Sequence, residues 1–242
     1  MSAVWIALAA AAAAGLAWLL WLVYLELRNQ HHIWHDPCVT PAETRDDIRY
    51  VLDMLRRVLA GKGIVWWLDY GTLLGAWRLG DLMAFDHDLD VSFLGEHRDR
   101  LEACRPALAA VGIELNLERT SIFFRGRKIG DMEAWWRYGS RLCRDDPRTR
   151  SGIIKYFRPL VDDFPAERIT PRWRIRLAGE LYPCPNRPAA FLRHRYLTCR
   201  LHLRLAIPHK QKCWVSGAFW REAARIWACG TAPAIVQSVP PD

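Results

Sequence analysis

Three aspartates at alternate positions, Asp86, Asp88 and Asp90, follow a Gly71-Thr72 pair by about fifteen residues. On a strand successive side chains alternate faces, so the three carboxylates are predicted to line one face, with Leu89, Val91 and Phe93 on the other. Like charges so close repel, and burying them unpaired is costly. A hard divalent cation, Mg²⁺ or Mn²⁺, relieves that repulsion, and such ions hold substrate phosphates through one or two carboxylates. Gly71 and Thr72, standing just before a helix start, offer backbone N–H groups and a hydroxyl to the same phosphates.

Other readings of the acidic stretch fit less well. An EF-hand loop beginning at Asp86 needs Gly at its sixth position and Glu at its twelfth, where this chain has Val91 and His97. A bare D-x-D of the sugar-nucleotide glycosyltransferase kind leaves the upstream GTLLG unexplained. A solvated acidic turn does not account for the hydrophobic residues interleaved with the acids.

The surrounding pattern supplies elements to hold these groups. Ile64 to Leu68 is a short apolar run that reads as a buried strand. Leu73, Leu74 and Trp77 carry helical spacing, and Gly80-Asp81 marks the turn before a second strand within residues 86–93. Upstream, Thr40 with Pro41 and Glu43 predicts a capping box that opens a helix. Its buried stripe is Ile48, Val51, Leu52, Leu55, Val58 and Leu59, and Gly61 ends it. Glu96 to Ala110 reads as a surface helix shortened or kinked by Pro106. Ile113–Leu117 and Ser121–Phe124 form a strand pair, and Lys128–Trp136 is a further strand with Asp131, Glu133 and Trp135 on one face. Residues 137–150 read as a basic surface loop, and Ile153–Phe157 as a short strand. Arg187–Leu197 is a predicted helix whose Arg193 and Arg195 are free to meet phosphate but are read first as solvated. Trp214–Ala228 is a Trp-rich helix that packs on the domain or lies on a membrane.

G-T-L-L-G-A-x-R followed by a D-x-D-x-D strand resembles the signature of the LicD family, which includes bacterial phosphocholine transferases and the animal fukutin and fukutin-related proteins. The resemblance is sharp over Gly71 to Asp90 and extends loosely over residues 43–197. One departure is visible, since the Pro-Trp that the family carries before its first aspartate is Ala84-Phe85 here. The resemblance implies an α/β domain with a mixed sheet, of the polymerase-β-like nucleotidyltransferase fold. It also implies that Asp86, Asp88 and Asp90 hold the metal, and that Gly71, Thr72 and Arg78 position phosphate. Sites of this kind need a third carboxylate from a neighbouring strand to hold metal or accept a proton. Asp131 is the residue expected to supply it, as catalytic group with Asp88 and Asp90, and Glu133 is the alternative.

The bulk numbers agree with this frame. The chain has 242 residues and a net charge of +8, which suits phosphorylated or anionic substrates or a membrane surface. No motif for RNA or DNA is present, so no nucleic-acid partner is expected. The seven cysteines show no C-x-x-C spacing, which argues against zinc and leaves open one or two disulfides or small buried thiols. Val4 to Leu25 carries no charged side chain over 22 residues, enough to span a bilayer as a helix, with no basic region ahead of it as a signal peptide has. His31, His32 and His35 follow it in a short stem and are read as solvated.

The expected organisation is a transmembrane anchor over 1–27, a stem over 28–39, a catalytic domain over 40–200 and a helical extension and tail over 201–242. The single flanking Arg28 leans toward a cytosolic domain. The animal members of the family are Golgi-lumenal, and the resemblance is followed: a single-pass Golgi or ER protein with a lumenal catalytic domain. The activity it implies is metal-dependent transfer of phosphocholine or ribitol phosphate from a CDP-linked donor to a glycan hydroxyl. Two alternatives stand beside it: transfer of a nucleoside monophosphate itself, and a non-catalytic membrane-anchored scaffold.

Overall fold

The computed structural model describes residues 5, 10–21, 37–149, 162–196, 213, 215–228 and 235–236, and in it Asp90 lies in a mixed sheet, with Asp86 and Asp88 just ahead of it and Gly71-Thr72 at the start of a helix. Strand β1 (Trp66–Leu68) runs antiparallel to β2 (Leu89–Leu94), and β2 runs parallel to β5 (Arg127–Tyr138). The strand pair β3 (Ile113–Asn116) and β4 (Ser121–Phe124) continues the sheet beyond β5, giving the order β1-β2-β5-β4-β3. Two short strands, β6 (Arg141–Cys143) and β7 (Phe164–Pro165), extend it from the far end of β5. A second, three-stranded sheet is built from β8 (Trp173–Leu177), β9 (Glu180–Cys184) and β10 (Ile235–Val236).

Helix α1 (Ala42–Leu59) buries Ile48, Val51, Leu52, Leu55 and Leu59, the predicted stripe without Val58. Its N-cap is Pro41, with no side-chain cap. The predicted capping box at Thr40 is therefore corrected, and the Thr40 hydroxyl is used elsewhere. Helix α2 (Tyr70–Leu79) leaves directly from β1, capped by Asp69 at its start and by left-handed Gly80 at its end. The single helix predicted over 96–110 is two, α3 (Arg98–Ala103) and α4 (Arg105–Ala109), with the break at Cys104 just before Pro106. Helices α5 (Pro188–Arg195) and α6 (Gly217–Ala228) follow. Phe219 of α6 is buried and its ring lies 4.8 Å from that of Phe85, so this helix packs against the stretch that leads into β2.

The stretch 137–150 is not a loop throughout, because β5 runs on to Tyr138 and β6 pairs with its end through Leu142 and Cys143, both buried. The predicted strand over 153–157 and the stem histidines lie outside the described residues.

The chain divides into two compact units. The larger holds all the labelled elements. The smaller comprises residues 1–38 and 208–216 and contains a Cys38–Cys213 disulfide. Cys104, Cys143 and Cys184 are buried and outside any disulfide, so a disulfide and small buried thiols both occur. Residues 10–21 are helical with Leu16, Trp18, Leu19, Leu20 and Trp21 exposed. No helix among the described residues is long and apolar enough to cross a membrane; the rest of the predicted span over 4–25 lies outside them.

Candidate active site

Asp86, Asp88 and Asp90 each place one carboxylate oxygen within 4.8 Å of the others. The route to that cluster differs from a single pleated strand. Only Asp90 lies in β2, while Asp86 and Asp88 belong to the turn that enters it. The turn is held from outside. Thr40 donates its hydroxyl to the Asp86 carbonyl at 2.6 Å and has Oγ1 2.9 Å from His87 Nδ1. Burial and like-charge repulsion bear most strongly on Asp90. Desolvation, then the neighbouring Asp88 and Asp86 charges, push its carboxyl well above the usual carboxylate range. A cation between the three acids would remove that penalty, so the donor set fits a hard divalent metal.

The Gly71-Thr72 turn is built onto Asp90. The Gly71 N–H donates to Asp90 Oδ2 at 3.1 Å, and the Asp90 N–H donates to Thr72 Oγ1 at 2.9 Å. Tyr70 makes this geometry with a left-handed backbone, φ 39°, a conformation costly for a non-glycine residue. Gly71 has no room for a side chain, because a methyl group there would run into the Asp86 carboxylate. Both members of the pair are thus engaged with the acids.

Behind the turn lies a buried polar network. Asp69, fully buried, receives Ser92 Oγ at 2.7 Å and Arg195 Nη2 at 2.6 Å. Trp135 Nε1 donates to Ser92 Oγ at 3.1 Å, and Arg195 Nη1 reaches Asp162 Oδ1 at 2.9 Å. The guanidinium also sits 4.0 Å over the Tyr70 ring and 4.8 Å over Trp135. Arg195 is therefore not the solvated residue that its sequence position suggests. Its side chain is only 2% exposed, and it ties α5 to the start of α2.

The remaining predicted residues fall in three places. Asp131 stands in register with Asp90 across the parallel β2–β5 pair, as the third-carboxylate expectation requires of the backbone. Its carboxylate is outside the three-acid cluster and pairs with Lys128 Nζ at 2.8 Å, with Ser121 Oγ at 3.4 Å. Glu133, two residues further along β5 and in register with Ser92, is held by Arg144 at 2.6 Å. Arg78, expected to position phosphate, is buried, and its Nη1 lies 3.4 Å from Met83 Sδ. Burial lowers its pKa to about 10, partly offset by Tyr196 and Asp86. Sequence reasoning did not single out Asp69, Asp162 or Arg144. Asp69 alone had a local signal, as an acid directly before a helix start.

A glycine–threonine turn at a helix start is thus locked onto aspartates clustered at the head of β2. The sequence profile described as LicD/FKTN/FKRP, nucleotidyltransferase domain, matches residues 63–187, and the chain belongs to that family. Among individual relatives, the human and the mouse ribitol 5-phosphate transferase FKRP are each 38% identical over 76 residues. That stretch is 31% of this chain and spans only 14% of the length of those relatives. A crystal structure of ANT(2")-Ia in complex with adenylyl-2"-tobramycin aligns with 76% of this chain and 98% of its own, at 15% identity and a TM-score of 0.41.

Proposed function

We propose that this protein transfers a phospho-alcohol, of the ribitol phosphate or phosphocholine type, from a CDP-linked donor to a hydroxyl of a glycan. The observation that carries this reading is the seating of the Gly71-Thr72 turn on Asp90 within a cluster of three carboxylates. Family membership and the likeness to ribitol 5-phosphate transferase FKRP supply the substrate class.

Asp86, Asp88 and Asp90 would hold Mg²⁺ or Mn²⁺. When bound, that ion screens the negative charge of the donor diphosphate and of the departing CMP. Thr72 is fully buried with its Oγ1 accepting from the Asp90 N–H, so it holds the aspartate strand rather than the phosphate that its sequence position suggests. The α2 N-terminus orients phosphate oxygens. Asp131, beside the cluster in the sheet and outside it, takes the proton from the acceptor hydroxyl. As that oxygen bonds to the phosphorus, the P–O bond to CMP breaks and CMP leaves with the electron pair. Lys128 must release Asp131 for this role, which its 51% exposure permits.

A membrane-anchored protein with a lumenal catalytic domain, in the Golgi or ER, is the location that fits this chemistry. The Cys38–Cys213 disulfide supports an oxidising compartment, as does the family's animal branch. The apolar character of residues 4–25 supports anchoring.

The test is product analysis with CDP-ribitol, CDP-choline and a glycan acceptor, for the native protein and for Asp88→Asn. CMP release that needs both Mg²⁺ and Asp88 is the expected outcome. Pyrophosphate release from a nucleoside triphosphate would instead establish nucleotidyl transfer, and neither product from a folded protein would leave the scaffold reading.

A further inference from the structure

Charged donors other than the metal are needed where a diphosphate is bound beside clustered acids, and the motif's own arginine does not supply one. Arg78 is buried against Met83, and Arg195 is locked between Asp69 and Asp162. Arg144 is placed differently. Its side chain remains 27% exposed, with Nη2 on Glu133 Oε1 at 2.6 Å and Nη1 on the Tyr70 hydroxyl at 2.9 Å. The Asp162 carboxylate lies a further step away, at 4.0 Å.

Both braces lie on elements that flank the acid cluster. Tyr70 directly precedes the Gly71-Thr72 turn. Glu133 shares a face of β5 with Asp131, and two residues along a strand are about 6.6 Å apart. In the sheet the Asp90–Asp131 row is thus followed by the Ser92–Glu133 row, over which Arg144 is held. A guanidinium fixed by two hydrogen bonds, on a side chain that stays 27% exposed and with N–H donors to spare in its planar fork, suits the paired oxygens of a diphosphate. Its orientation is set before the ligand arrives, which is what makes such a group effective.

We propose that Arg144 is a substrate-binding residue of this site that holds non-bridging oxygens of a metal-bound diphosphate. The assignment rests on the donor reading above for the identity of the ligand, and on the geometry for the residue.

The experiment measures calorimetric binding of pyrophosphate and of CDP, each with Mg²⁺, to the full chain and to Arg144→Gln and Arg144→Lys. Mn²⁺ affinity without nucleotide is measured in parallel. The expected result is a loss of at least tenfold in affinity for both diphosphates in Arg144→Gln, a smaller loss in Arg144→Lys, and unchanged Mn²⁺ affinity in both. Three outcomes overturn the assignment: Arg144→Gln binding like the native protein, an equal loss in Mn²⁺ affinity, or no diphosphate binding by the native protein. CMP release from CDP-ribitol or CDP-choline separates the two ideas. Arg144-dependent diphosphate binding without CMP release would refute the donor reading and uphold Arg144. CMP release with Arg144→Gln unimpaired in binding would do the reverse.

Discussion

Arg195 Nη2 meets Asp69 Oδ2 at 2.6 Å, across 126 residues of chain, with both side chains removed from solvent. The pair joins the end of α5 to the residue that caps α2, and so fixes where the Gly71-Thr72 turn begins. Removing one partner of a buried ion pair strands the other charge, at a cost of roughly 3–5 kcal/mol. Arg195→Leu is expected to lose about that much unfolding free energy in chemical denaturation. Arg195→Lys should lose less stability, yet still weaken metal binding, because a single ammonium cannot bond Asp69 and Asp162 in the guanidinium's geometry. A stability change under about 1 kcal/mol in Arg195→Leu would show the pair to be dispensable.

Gly71 gives a sharper test of the acid cluster. A methyl group at this position collides with the Asp86 carboxylate, at the far end of that side chain, rather than with backbone. Gly71→Ala should therefore fold, with a melting temperature near that of the native protein. Its Mn²⁺ affinity, read by electron paramagnetic resonance, should fall about tenfold, equivalent to about 1.4 kcal/mol. Native-like Mn²⁺ binding in Gly71→Ala would remove Asp86 from the ligand set.

The parts of this site that were legible in the sequence are those whose signals are local. Asp69 and Gly80 bracket α2 with an N-cap and a left-handed C-cap, so the helix is written within twelve residues. The α1 stripe follows helical spacing, and the β3–β4 pair follows strand alternation. What failed depended on partners far along the chain. Thr40 and Glu43 have capping-box spacing, but the Thr40 hydroxyl is drawn to the Asp86 carbonyl, 46 residues away. Arg195 reads as solvated because arginines are seldom buried, and nothing nearby announces Asp69 and Asp162 as its partners. The run 137–150 reads as loop from its charge, while buried Leu142 and Cys143 and the bond from Arg141 to the Asp163 carbonyl make part of it a strand.

Asp90 predicts a pH dependence of definite sign. Its carboxyl in the folded protein is pushed up by burial, then by Asp88 and Asp86. Between the ordinary carboxylate range and that raised value, the folded state holds more protons than the unfolded one. Stability without metal should therefore fall as pH rises through this window. Asp90→Asn should flatten the slope, and Mg²⁺ should oppose it in the native protein by favouring the ionised acids. Denaturation midpoints measured against pH, with EDTA and with Mg²⁺, check this. A metal-free midpoint that is flat or rises across the window would contradict it.

Thr40 separates two roles by substitution. As a helix cap it would be improved or unharmed by aspartate, which is among the better N-cap residues. As the anchor of the metal-binding turn it would be harmed, since an acid there replaces a donor to the Asp86 carbonyl at a position only 1% exposed. Thr40→Asp is thus expected to destabilise the protein, by more than the roughly 1–2 kcal/mol expected for Thr40→Val from one lost buried hydrogen bond. Both should weaken Mn²⁺ binding, because the turn carrying Asp86 and Asp88 loses its outer support. Helix content should be unchanged in Thr40→Val, as the cap position of α1 belongs to Pro41. Circular dichroism and Mn²⁺ titration on the two variants distinguish the roles: stability maintained in Thr40→Asp would return Thr40 to the helix, and its loss together with metal affinity assigns Thr40 to the site.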